Sequence, residues 1–216
     1  MNRREFSAGA ACLLATAAIG LPGSLFAQVK KPEDGVHYLT LDKRVNVDAP
    51  PGKIEVIEFF WYSCPHCNAF EPKLNAWIQK LPPDVFMKRV PVAFREDFVP
   101  QQRLFYTLEA MGKLDLHGKV FDAIHKERMP LSREDGILEW VDKQGLDKAK
   151  FKELFNSFGV TSKARRASQI QDAFKVTGVP AIGVAGRWYT DGEMARNMDR
   201  ALQVTDYLVA EARKTR

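Results

Sequence analysis

The sequence predicts an α/β fold in which one α/β unit is interrupted by an all-α insertion. Three observations predict it. An apolar run, Ile54-Glu-Val-Ile-Glu-Phe-Phe60, hands over to a helix-spaced segment, and a second apolar run follows at Val85 to Val92. From about Phe94 to Ser168 only helix-spaced stripes occur. Two short apolar runs around a glycine and a closing helical stripe come last. The order is β-α-β, a block of helices, then α-β-β-α.

Taken in order, residues 1–27 read as an export signal. Arg3 and Arg4 give a positive start, and Ala8 to Leu21 is apolar but shorter than the roughly 20 residues of a membrane span. Cleavage after Ala27 is expected. Asn2-Arg-Arg-Glu-Phe6 resembles a twin-arginine signal, although Asn2 replaces the usual Ser or Thr; either export route leads out of the cytoplasm. Gln28 to Gly52 is polar and ends in the turn Ala49-Pro-Pro-Gly52. Within it, His37 to Leu41 reads as a short edge strand, with His37 on the surface.

The run Ile54 to Phe60 reads as a buried strand. Asn68, Phe70, Leu74, Trp77, Ile78 and Leu81 then recur at helical steps, and Pro82-Pro83-Asp84 ends that helix. Val85 to Val92 is the second core strand, expected to lie parallel to the first through a right-handed crossover, with Pro91 marking an end or an edge.

Four helices are predicted next: Gln101 to Gly112, Asp115 to Arg128, one capped by Ser132 and ending near Gly145, and Lys148 to Phe158, ended by Gly159. Their apolar stripes read as bundle core. His117 and His125 have no carboxylate or cysteine at metal-ligand spacing and read as structural or exposed. A helix over Thr161 to Val176, a strand over Ala181 to Ala185, a turn at Gly186, a returning strand over Arg187 to Thr190 and a helix over Ala195 to Arg213 complete the chain.

Charge and cysteine count narrow the function. The 32 basic and 27 acidic residues leave a net charge of +5, but no basic run exceeds two residues, which argues against a nucleic-acid surface. Of the three cysteines, Cys12 lies in the expected signal. Cys64 and Cys67 remain, too few for a disulfide-stapled scaffold. A lone Cys-x-x-Cys in an exported chain points to chemistry.

Cys64-Pro65-His66-Cys67 sits where the central strand hands over to its helix. Pro65 fits the first helical position, which places Cys64 at the N-cap and Cys67 one turn on. The free N–H groups and partial positive charge of that helix end favour a Cys64 thiolate, with His66 beside it. Cys64 is the attacking sulfur and Cys67 the resolving one. A stabilised thiolate favours the reduced form, so it makes the disulfide a stronger oxidant. A fall from ~8.5 to ~4.5 would amount at neutral pH to about 2.5 decades, or on the order of 75 mV.

Zinc would need four ligands, covalent haem would need histidine where Asn68 stands, and an inert disulfide would be strained in so short a loop. No cofactor is expected. Glu58 shares a face with Val56 and Phe60, and Lys88 interrupts the next strand; the two are either charges at exposed strand positions or a buried pair, in which Glu58 would accept or relay the Cys67 proton. Val179-Pro180 opens the later strand and is a candidate cis bond whose Val179 backbone would pair with an extended substrate.

Cys64-Pro-His-Cys67 after Glu58-Phe-Phe, the helical insertion and Val179-Pro180 together resemble the DsbA-type thiol:disulfide oxidoreductases. The likeness runs over nearly all of the mature chain. It implies a thioredoxin-like fold interrupted by an all-α helical insertion domain, with 28–93 and 168–216 in the thioredoxin-like part and 94–167 in the insertion. It also implies Cys64 as nucleophile, Cys67 as buried resolving thiol, a cis Pro180 against the pair, and Glu58 with Lys88 as a buried charged pair. Strongly oxidising dithiols of low pKa are a known property of that family. The implied setting is periplasmic, with newly exported proteins as substrates, a DsbB-like membrane quinone reductase as reoxidant, and a monomeric protein. Val179, where related isomerases more often carry Thr, favours an oxidase. The alternatives are a reductase or isomerase on the same fold, or a chaperone or peptide-binding module.

Overall fold

The computed structural model describes residues 30–215. The expected signal, 1–27, and Cys12 lie outside the described residues. The first elements are strand Leu39–Thr40 (β1), strand Ile54–Phe60 (β2), helix Pro65–Ile78 (α1) and strand Val85–Pro91 (β3). Helices follow at Val99–Ala110 (α2), His117–His125 (α3), Glu134–Lys143 (α4), Lys148–Phe155 (α5) and Phe158–Ala173 (α6). Strands Ala181–Val184 (β4) and Trp188–Asp191 (β5) and helix Met198–Lys214 (α7) complete the order. All the strands and helices named lie in one unit, Pro32–Arg216.

The described strands form a five-stranded sheet in the order β1-β5-β4-β2-β3. β2 is parallel to β3 and antiparallel to β4, so it is paired on both edges. All seven β2 residues are buried, which explains why that run lacks apolar–polar alternation. On one side of the sheet Phe70 and Leu74 of α1 and Val204 and Leu208 of α7 pack with Ile54 and Val56. On the other, Ile57 and Phe59 join the cluster that extends into the helical segment, and Phe59 lies against Phe174, ring centroids 5.2 Å apart. Gly183 of β4 makes room for that ring: a Cβ there would lie 2.4 Å from Phe174 Cε1. Between β4 and β5, Ala185 and Gly186 both take positive φ (53° and 65°) at the centre of a turn closed by Arg187 N–H donating to Val184 O at 2.9 Å, as a primed type I turn requires.

Several helix ends differ from the sequence-based expectation. Arg133, not Ser132, is the N-cap of α4, and its side chain makes no capping bond. Ser157 caps α6 by accepting from Val160 N at 3.2 Å, so Gly159 lies in the first turn of α6 and does not end α5. α6 then runs unbroken past positions 167 and 168. Asn197 caps α7, which starts three residues later than expected.

Candidate active site

β2 ends at Phe60, and the chain turns through Tyr62 and Ser63, closed by Cys64 N–H donating to Trp61 O at 3.0 Å. Cys64 is the N-cap of α1 in extended geometry (φ −81°, ψ 118°), with Pro65 at the first helical position. Both cysteines are free thiols, and both are buried. Cys64 Sγ donates to Val179 O at 3.4 Å, and the Val179-Pro180 bond is cis. The loop before β4 therefore lies directly against the first cysteine.

The two sulfurs differ sharply in proton affinity. A hydrogen bond from the Cys67 thiol brings Cys64 down to about 6. The backbone N–H groups of Cys67 and His66 and the His66 ring add to that pull, and burial opposes it. Burial drives Cys67 upward, reinforced by its role as donor to Cys64 and by the charges of Cys64 and Glu58. At pH 7 a value of about 6 favours the thiolate by about tenfold, or about 30 mV, because only the part of the shift that lies below the ambient pH counts in full. The pull is smaller than the roughly 75 mV that a fall to ~4.5 would give.

Beneath the cysteines lies a buried polar network. Glu58 is fully buried. Its partner is Arg89, with Nε 3.2 Å from Glu58 Oε2, and not Lys88. The parallel register sets Glu58 opposite Arg89 and Ile57 opposite Lys88, and alternation sends those pairs to opposite faces. Lys88 instead pairs with Asp48. Arg89 also donates to Glu71 Oε1 at 2.9 Å and Asn75 Oδ1 at 2.8 Å. One guanidinium thus stands between two carboxyls. Burial raises Glu58 to about 8 against the pull of Arg89, and Glu71 adds to the rise. Burial also opposes charge on Glu71, but His117 and Arg89 hold it down at about 2. His117 is itself lowered by burial, against the pull of Glu71, and Arg89 is the permanent cation of the group. In effect Glu71 is ionised, Arg89 is charged, and Glu58 holds a proton.

His117 extends the network. Tyr62 Oη lies 2.8 Å from its Nδ1, and its Nε2 faces Glu71 Oε2 at 3.6 Å. His125 Nε2 lies 2.8 Å from Tyr62 O. Neither histidine, nor Glu71, was singled out by sequence pattern. Glu71 did carry a signal: Cys67, Phe70, Glu71 and Leu74 are the buried face of α1, a helical spacing with an acid inside it. The two histidines come from another helix over 50 residues away, and no periodicity marks them.

Beside the cysteine pair a cleft of about 570 Å³ is lined by His66, Val179, Pro180, Asp191, Glu193 and Met198.

The model of the DSBA-like thioredoxin domain matches residues 87–208. The chain belongs to this family. The match begins inside β3, after the two cysteines, but whole-length relatives cover them. The thiol:disulfide interchange protein DsbA of Bordetella pertussis is 43% identical over 203 residues, 94% of this chain and 96% of the relative. That of Pseudomonas aeruginosa is 38% identical over 205 residues, 93% of this chain and 96% of the relative. The crystal structure of Pseudomonas aeruginosa DsbA superposes with a TM-score of 0.79 at 40% identity, covering 84% of this chain and 94% of that one. The Xylella fastidiosa DsbA structure gives 0.78 at 31% identity, covering 85% and 98%. This DsbA-like chain has a thioredoxin fold with a helical insertion, and it is a thiol:disulfide oxidoreductase.

Proposed function

We propose that the protein is a periplasmic oxidant that donates its Cys64–Cys67 disulfide to newly exported proteins. Support comes chiefly from one observation: Cys64, and not Cys67, is the sulfur held toward the thiolate. A substrate thiolate attacks Cys64 Sγ, the Cys64–Cys67 bond breaks, and Cys67 leaves and takes up a proton. A second substrate thiolate then attacks the substrate sulfur of the mixed disulfide and releases Cys64 as the thiolate. Two electrons pass to the protein, and the substrate gains one disulfide. A low-pKa sulfur is the better leaving group, so the last step is the favoured one.

The remaining roles belong to the same proposal. Glu58, protonated at neutral pH, relays the proton that Cys67 takes up and regains its own from solvent, so that it also holds a proton in the reduced protein. Pro65 and His66 shape and charge the mouth of the helix. Val179 offers backbone to an extended substrate beside Pro180, in the cleft described above. Residues 28–93 and 168–216 form the thioredoxin-like part and 94–167 the helical part, of a monomer reoxidised by a DsbB-like membrane quinone reductase. The segment 1–27 directs export. Among the described residues no helix is long and apolar enough to cross a membrane.

The test is the equilibrium of the cysteine pair with glutathione, together with a Cys67→Ala variant incubated with a disulfide-bearing peptide. An oxidising potential and a trapped mixed disulfide on Cys64 are expected. A thioredoxin-like potential would overturn the direction, and trapping at Cys67 in a Cys64→Ala variant alone would overturn the assignment of the nucleophile.

A further inference from the structure

The turn before Cys64 is held in an unusual way. Its central peptide unit joins Tyr62 to Ser63, and both polar ends of that unit are bonded to side chains of the helical segment. Tyr62 O lies 2.8 Å from His125 Nε2 of α3, so the ring donates. Ser63 N–H donates to Gln101 Oε1 of α2 at 3.2 Å. Gln101 Nε2 closes a second contact by donating to Ser63 Oγ at 2.7 Å, and it reaches Leu131 O at 3.2 Å. Gln101 is 2% exposed, and Ser63 and His125 are half-buried.

The two turn geometries that share this framework differ by a flip of that same central peptide. The flipped form would give Ser63 a positive φ, and Ser63 is not among the residues that have one. A flip would also point Tyr62 O at Gln101 and Ser63 N–H at His125, breaking both bonds at once. The peptide that follows carries the N–H of Cys64, whose bond to Trp61 O sets how the residue enters α1.

We infer that Gln101 and His125 are positioning residues that lock the Tyr62–Ser63 peptide, hold Cys64 Sγ against the amides of the first turn of α1, and thereby make the disulfide more oxidising. Neither side chain is assigned a contact with the sulfurs; both act through the turn. The helical segment is then part of the redox centre. The inference builds on the proposed oxidant function but stands on a different comparison, variant against parent protein.

The test uses the full mature protein and the variants Gln101→Leu, His125→Leu, the double variant, and His125→Gln, whose amide nitrogen reaches about as far as His Nε2. Thiolate absorbance against pH gives the Cys64 titration, glutathione gives the redox equilibrium, and thermal unfolding reports stability separately. Each leucine variant is expected to raise the Cys64 midpoint by about half to one pH unit and make the disulfide about three- to fivefold less oxidising at pH 7. The double variant is expected to do little more than either single one, because one peptide is released in all three. His125→Gln is expected to restore most of the parent behaviour. Leucine variants with an unchanged midpoint and equilibrium would overturn the inference, whatever their unfolding temperature. A parent protein that is itself not oxidising would count against the proposed function instead.

Discussion

Replacing Glu58 by glutamine tests the reading of the buried network most directly. Burial lifts the Glu58 carboxyl from the usual 4.5 to about 8. The folded state therefore binds that proton more tightly than the unfolded state does. Stability is unaffected by the group below about pH 4.5, falls as pH rises between the two values, and levels off above about 8. Each pH unit within that window costs the fold about 1.4 kcal/mol, so the accumulated destabilisation at neutral pH is about 3 kcal/mol. Glutamine has the shape of the protonated acid and no proton to lose. Glu58→Gln should thus be more stable than the parent by about 3 kcal/mol near pH 7 and about equal to it near pH 4. Urea unfolding of both proteins in a phosphine reductant, repeated from about pH 4 to 8, measures the difference. Cys64 titrates in both proteins and largely cancels. A difference that does not change with pH, or a glutamine variant less stable near pH 7, would refute the assignment of a protonated Glu58 beside an ionised Glu71.

Two further substitutions probe the scaffold around the site. Arg89→Met leaves the ionised Glu71 buried without its guanidinium and should cost about 3–5 kcal/mol, whereas Lys88→Met removes a pair whose Asp48 carboxylate is half exposed and should cost no more than about 1 kcal/mol; chemical denaturation of the two side by side checks which residue belongs to the network. Gly183→Ala drives a methyl into the Phe174 ring and should destabilise by about 1–3 kcal/mol, read as a lower unfolding midpoint with an unchanged glutathione equilibrium.

The fold was legible wherever a period carried it. β2, α1 and β3 follow from a buried run, a helical stripe and a second run, and the Cys64 N-cap follows from Pro65 at the next position. The parity of a strand was less legible: Lys88 and Arg89 are adjacent cations, and only the register across β2 decides which one faces Glu58. Capping was ambiguous for a similar reason. Ser132 and Ser157 are both good capping residues by type, but only Ser157 is followed by backbone that presents Val160 N–H to it. The hold on Tyr62 and Ser63 by His117, His125 and Gln101 left no trace in pattern, because each contact joins residues 38 to 63 positions apart. Such contacts depend on how the helical segment docks, and a single buried histidine or glutamine does not advertise its partner.

The sheet also has an order in time. Val179 follows Cys64 by 115 positions, and β4, which covers the second edge of β2, follows Val179 directly. A chain synthesised from its N-terminus presents both cysteines, β2 and β3 while that edge is still bare. The intervening helices must all emerge before β4 arrives to close it. A nascent or prematurely ended chain would then carry reactive thiols without the carbonyl that meets Cys64, next to an open strand edge that invites pairing with other chains. Completion of the C-terminal third is therefore the event that turns a vulnerable dithiol into a guarded one.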